Sequence, residues 1–154
     1  MTTLHAPARP HTSIDAPAAA TTKAPADDAA LLAAFTAGTL PGPAFTHATH
    51  VRVAFLFLRT HADFGAGAPA FRAALRRYVA GLGAADRYHE TLTWAYLALC
   101  QERMEGHEDA DSQAFLARCP ELVDGGALAR HYDVPALLAS PLARRVFVLP
   151  GRER

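Results

Sequence analysis

The chain is short of several things at once. It has two cysteines, Cys100 and Cys119, and so no disulfide framework. Cys100 falls in an apolar helical stretch and reads as a small core residue. Cys119 precedes Pro120 near a helix end and reads as semi-exposed. Lys23 is the only lysine, and the basic total of 15 is otherwise arginine. An acidic total of 15 balances it to a formal net charge of zero. Phosphate binding needs a basic excess or patch, so nucleic acid is not the expected partner. No apolar run approaches the roughly 18 residues that span a bilayer, so no membrane partner is expected. No apolar core of a secretory signal opens the chain, which makes a cytoplasmic location the expectation, with both thiols reduced. Strand signals are absent except over residues 145–149.

What is present suits one domain: 154 residues, 51% apolar and 19% charged. Residues 1–26 are rich in Ala, Pro and Thr, carry little bulk and are expected to form a disordered tail. Residues 27–154 then read as a single helical domain. A short helix follows Asp27 and Asp28, with Leu31, Leu32 and Phe35 as its stripe. Gly38 and the run Pro41-Gly42-Pro43 end it. A second helix starts at Thr46 and runs to His61, with Val51, Ala54, Phe55 and Leu58 at helical spacing. A Gly-rich turn over 64–67 leads to a third helix from Pro69 to Ala80, with Phe71, Leu75, Tyr78 and Val79 facing inward. A fourth, capped by Asp86, extends to Glu105 and buries Leu92, Ala95, Tyr96, Leu99 and Cys100. Ser112 caps a short fifth helix, a sixth covers 127–132, and residues 135–139 add one turn. Residues 145–149 form an extended C-terminal strap. The fold class is therefore all-α: a small bundle of three main helices plus shorter ones. No heptad pattern specifies an oligomer, and a homodimer stays open.

The chemistry-bearing residues gather at two helix starts. His47 and His50 share a face at i, i+3 of the second helix. Tyr88, His89 and Glu90 open the fourth. Short turns make neighbouring helices antiparallel, so the second and fourth run parallel and begin at the same end. If adjacent, they bring His47, His50 and His89 together with Glu90. Three imidazoles and a carboxylate can hold one transition ion, Zn²⁺, Fe²⁺ or Cu²⁺. Glu90 would be a fourth ligand or general base, and Tyr88 a catalytic partner. Arg52, Thr91, Thr93 and Arg144 would meet a small, anionic substrate. A metal-free alternative uses the same His and Glu residues as acid and base in a lyase or isomerase. A third reading is a non-enzymatic ligand-binding or interaction module. Each residue also has a plainer use: a histidine is often a polar helix end, and Glu90 suits the helix dipole. His131 is a fourth ligand only if the sixth helix folds over the site. His61 suits a helix C-terminus, and His107 a solvated acidic loop.

Three blocks, F-x-H-x-x-H from Phe45, Y-H-E-T-x-T from Tyr88 and S-P-L-A-R from Ser140, resemble a family of small, uncharacterised bacterial helical proteins. The resemblance covers residues 44–150 and implies no activity. It draws attention to Ser140 and Arg144 as parts of a strap that can close the site.

Overall fold

A computed structural model of the chain describes residues 23–151. Eight α-helices are present among them, and no strand. They are α1 (Asp28–Ala37), α2 (His47–Thr60), α3 (Phe64–Gly81), α4 (Glu90–Met104), α5 (Ser112–Arg118), α6 (Gly126–Ala129), α7 (Val134–Ala139) and α8 (Pro141–Arg145). The all-α class and the three main helices are as expected. Residues 1–22 of the expected tail lie outside the described residues. Its last part does not behave as a tail, because Ala24 packs on the core and the carbonyls of Pro25 and Ala26 accept hydrogen bonds from Arg52.

The bundle is organised around α2, which touches α1, α3, α4 and α5. Every residue from Val51 to Leu58 is buried in consequence. A single inward stripe was expected from the 3.6 spacing, but a helix surrounded on all sides buries its whole circumference. That places one charged side chain, Arg52, in the interior. Its guanidinium is fully partnered: Nε donates to Ser112 Oγ at 2.7 Å, Nη1 to the Pro25 carbonyl, and Nη2 to the Ala26 carbonyl and to Asp28. Asp28 in turn accepts from the backbone N–H and hydroxyl of Ser112. Arg52 thus ties the lead into α1 and the start of α5 onto α2.

Helix boundaries differ from the sequence reading at α6, which ends at Ala129 rather than at 132, and at three further places that each have a local reason. The Gly-rich stretch 64–67 is the first turn of α3, not a loop. Asp63 caps it by accepting from Ala66 N–H at 2.8 Å, and a Cβ on Gly67 would lie 3.0 Å from the Phe57 carbonyl oxygen. The glycine is there for a close helix crossing. Asp86 falls inside a 3₁₀ turn, Ala85–Arg87, so α4 begins later, with His89 as its N-cap. Asp111, not Ser112, caps α5, which leaves the Ser112 hydroxyl to the Arg52 cluster.

The C-terminal strap is present without a strand. After α8 the backbone is irregular, and Val148 is held by both backbone groups: its N–H donates to Thr91 Oγ1 at 3.1 Å and its carbonyl accepts from Tyr132 Oη at 3.0 Å. Most of the large apolar side chains left exposed lie at this end: Leu138, Leu142, Val146, Phe147 and Leu149. No described helix is long and apolar enough to cross a membrane. Both cysteines are buried. Burial, helped by the neighbouring Cys119, pushes the Cys100 thiol up to about 12. The semi-exposed position expected for Cys119 is not found, since it is 1% exposed. Neither thiol is placed to react with electrophiles or oxidants from solvent.

Candidate functional site

A cavity of about 350 Å³ opens where α2 and α4 begin and α3 ends. That volume lies at the small end of the range for small-molecule sites. Of the residues the sequence singled out, His47, His50, Tyr88, His89 and Thr93 line it. Arg52, Glu90, Thr91 and Arg144 do not. The inferred convergence of two helix starts therefore holds, but the side chains are used differently from the expected metal set.

His50 is the polar group at the centre of the site. Its ring lies between two others, 5.2 Å from Phe45 and 5.5 Å from Phe71 by ring centroid. It makes no hydrogen bond among the described residues, and no buried side-chain nitrogen or oxygen is left occluded without a partner. Its free nitrogen capacity therefore faces the open cavity. Desolvation among the rings, and secondarily the nearby His47, lower its pKa from the usual 6.5 to about 4. At neutral pH His50 is an uncharged imidazole, with one nitrogen a donor and the other an acceptor.

His47 sits at the rim. Its Nε2–H donates to the Leu122 carbonyl at 2.9 Å, which fixes the tautomer and leaves Nδ1 as an acceptor. The ring meets Tyr96 edge-on at 4.9 Å and lies 6.4 Å from His50. His89 spends both nitrogens on structure. Nδ1 accepts from Leu92 N–H, capping α4, and Nε2–H donates to the Leu137 carbonyl, each at 3.3 Å. Burial holds its pKa below the ordinary value, and Arg144 contributes to the same effect.

Glu90 points away from the cavity into a closed cluster. Its carboxylate accepts from Arg72 Nε at 2.8 Å, Tyr88 Oη at 2.8 Å and Trp94 Nε1 at 2.9 Å. Burial alone would raise its pKa, but these three donors bring it below the ordinary carboxylate value. The cluster places the Tyr88 ring in the cavity wall, and Arg76 covers that ring at 5.2 Å. Burial and the bond to Glu90 push the Tyr88 phenol up to about 12, so it remains protonated. Thr93, also in the wall, donates to the His89 carbonyl at 2.9 Å.

The remaining residues of the expected substrate set serve the scaffold. Thr91 is fully buried; its hydroxyl lies 2.8 Å from the carbonyls of both Ala143 and Val146, and anchors the strap. Arg144 donates to the Asp86 carbonyl at 3.1 Å. Arg52 lies in the interior cluster described above. His61 caps α2 by donating from Nδ1 to the Phe57 carbonyl at 2.7 Å. His131 and His107 are exposed and away from the cavity. Among the described residues, no three His, Cys, Asp or Glu side chains group so as to hold a metal ion. The physical reason is the commitment of His89 and Glu90: ligation by either would forfeit the α4 cap or unpair three donors.

Most wall residues received no site role from the sequence, among them four with aromatic or charged side chains. Phe71 and Tyr78, seven apart on α3, were visible only as an inner face. Tyr96 was visible only as part of the buried stripe of α4. Arg87 stands on the cavity edge because the chain turns there in the 3₁₀ segment, a placement that spacing alone does not show. In comparisons with known proteins, no family model, no curated protein and no solved structure matches this chain.

The depressed pKa of His50 has a consequence for stability. A base whose pKa is lower folded than unfolded takes up its proton more readily when unfolded. The stability carried by neutral His50 is intact above its unfolded pKa of about 6.5 and is lost as pH falls toward 4. Discounted for the open cavity, the loss is about 2 kcal/mol. Urea unfolding at pH 7.0, 6.0 and 5.0 should show this slope. His50→Phe should flatten it, leaving the smaller part due to His89. An equal slope in the variant would mean that His50 titrates normally.

Proposed function

We propose that the chain binds a small, ring-containing metabolite in the cavity between α2, α3 and α4, with neutral His50 as its polar contact. The observation that carries this reading is an imidazole stacked on Phe45 and tilted against Phe71, its ring without a hydrogen-bond partner among the described residues, facing about 350 Å³ of space. A core histidine serving only stability would be hydrogen-bonded, as His61 and His89 are. Apolar walls with a few placed polar groups are the usual makeup of small-molecule sites.

The same imidazole suits acid–base chemistry. A neutral His50 can accept a proton from a bound ligand, and His47 Nδ1, 6.4 Å away by ring centroid, offers a second acceptor at the rim. A metal-dependent reading requires His89 to leave Leu92 and Leu137, and elemental analysis of purified protein separates it from this one.

A library of single-ring fragments, followed by ligand-observed NMR, tests the proposal. Ala84 lines the cavity, and Ala84→Trp should fill it while leaving His50 in place. Ring fragments are expected to bind the native chain and lose that binding in Ala84→Trp. If the same fragments bind both proteins equally, they occupy another surface and the cavity reading fails.

A further inference from the structure

The charge around the cavity is one-sided. Among the described residues no Asp or Glu side chain lines it, and Arg87 is the only lining residue with a permanent charge. The nearest cluster carboxylate, Glu90, is saturated by Arg72, Tyr88 and Trp94. Arg76 is occupied over the Tyr88 ring. Arg87 makes no ion pair among the described residues, whereas Arg52, Arg72, Arg103 and Arg118 all do. The other titratable groups lining the space are His47, His50, Tyr78, Tyr88, His89 and Tyr96. None of them supplies a negative charge at neutral pH: the imidazoles are neutral or cationic, and the phenols of Tyr78, Tyr88 and Tyr96 are raised by burial.

We propose that the ligand is a small ring-bearing carboxylate, its carboxylate at Arg87 on the mouth and a ring hydroxyl on His50 inside. This rests on the cavity reading above and adds charge and direction to it. An ammonium group would meet a lone cation at the mouth and find no carboxylate. A carboxylate meets a guanidinium with no side-chain partner among the described residues, in the bidentate geometry that pair favours. Arg87 is exposed, so the carboxylate keeps part of its hydration and escapes the cost of full burial. The ring then enters the aromatic part of the cavity, where Phe45 and Phe71 flank His50. A hydroxyl on the far side of the ring reaches the imidazole, which has one acceptor nitrogen to offer.

Three probes sharing a 4-hydroxyphenyl ring test this: 4-hydroxybenzoate, 4-hydroxybenzamide and 4-hydroxybenzylamine, titrated into the full chain with the histidine and tyrosine ring signals observed. The carboxylate should bind at least about tenfold more tightly than the amide, and the amine more weakly than either. In Arg87→Gln the carboxylate should fall to within about twofold of the amide, while the amide binds as before. Amide or amine binding as tight as the carboxylate's overturns the charge assignment and leaves the cavity reading standing. A carboxylate preference that survives Arg87→Gln overturns the role of Arg87. If none of the three moves the cavity rings at millimolar concentration, this inference falls, and the fragment experiment with Ala84→Trp separately decides the cavity reading.

Discussion

Replacing Arg52 by alanine is expected to destabilise the fold by about 3–5 kcal/mol. The side chain is 5% exposed and holds four groups from two other parts of the chain: two backbone carbonyls ahead of α1, the Asp28 carboxylate and the Ser112 hydroxyl. Truncation leaves the carbonyls without a donor and Asp28 without its cation. Burial alone would raise the Asp28 pKa, yet the bonds from Ser112 and Arg52 keep it below the ordinary value. The stability contributed by that lowering is present above the unfolded pKa near 3.8 and is lost as pH falls below it. Arg52→Ala should therefore be less stable than the native chain at neutral pH, with the gap narrowing in acid. Arg52→Met, which restores apolar packing but not the donors, should recover only part of the loss. Urea unfolding of the three proteins at pH 7 and pH 3.5 measures both effects. A cost below about 1 kcal/mol would place Arg52 among weakly coupled surface pairs. Because Arg52 does not line the cavity, ligand affinity should be unchanged in whichever variant folds.

The second large effect is expected at Glu90. Glu90→Ala removes one acceptor group from three donors, on Arg72, Tyr88 and Trp94. The Arg72 guanidinium is 33% exposed and can turn to water, but the Trp94 indole and Tyr88 phenol are half-buried. Leaving them unpaired should cost about 2–3 kcal/mol. Glu90→Gln should cost less, since one oxygen remains to accept. Tyr88 would lose its anchor and keep only the Arg76 contact on its face, so the cavity wall should loosen. Glu90 thus acts as a positioning residue. Its replacement should lower fragment affinity several-fold, together with a broadened Tyr88 ring signal. Retained affinity and a sharp Tyr88 signal in Glu90→Ala would show that the wall is held by packing alone. The contrast with Arg52 is informative, because there stability should fall while binding stays.

Much of this organisation was legible in the residues. Helical periodicity and the scarcity of strand signals fixed the all-α class, and short connections placed the starts of α2 and α4 at one end. From that came the expected meeting of His47, His50 and His89 with Glu90; the three histidines line one cavity, and Glu90 turns away from it. The use made of each side chain was not legible, because hydrogen-bond partners far along the chain decide it. His89 is a cap tied to Leu137, 48 residues away, and His47 is tied to Leu122, 75 residues away. Arg52 looked like a substrate clamp because it follows His50 by two positions. That offset turns it toward α5, on a helix buried all round. The Gly-rich stretch before Pro69 read as a turn because glycine marks turns more often than close helix crossings. His50 alone, unpartnered and flanked by aromatic rings, keeps a role that packing does not explain.

That role is to face a ligand space. It is tested most directly by following the ring signals of all the histidines while a bound ring fragment is titrated in at pH 7. A saturable shift of His50 is expected, with a smaller one at His47 and none at His61 or His107, and both shifts should be abolished in Ala84→Trp. Shifts that saturate at His61 or His107 while His50 stays fixed would contradict it.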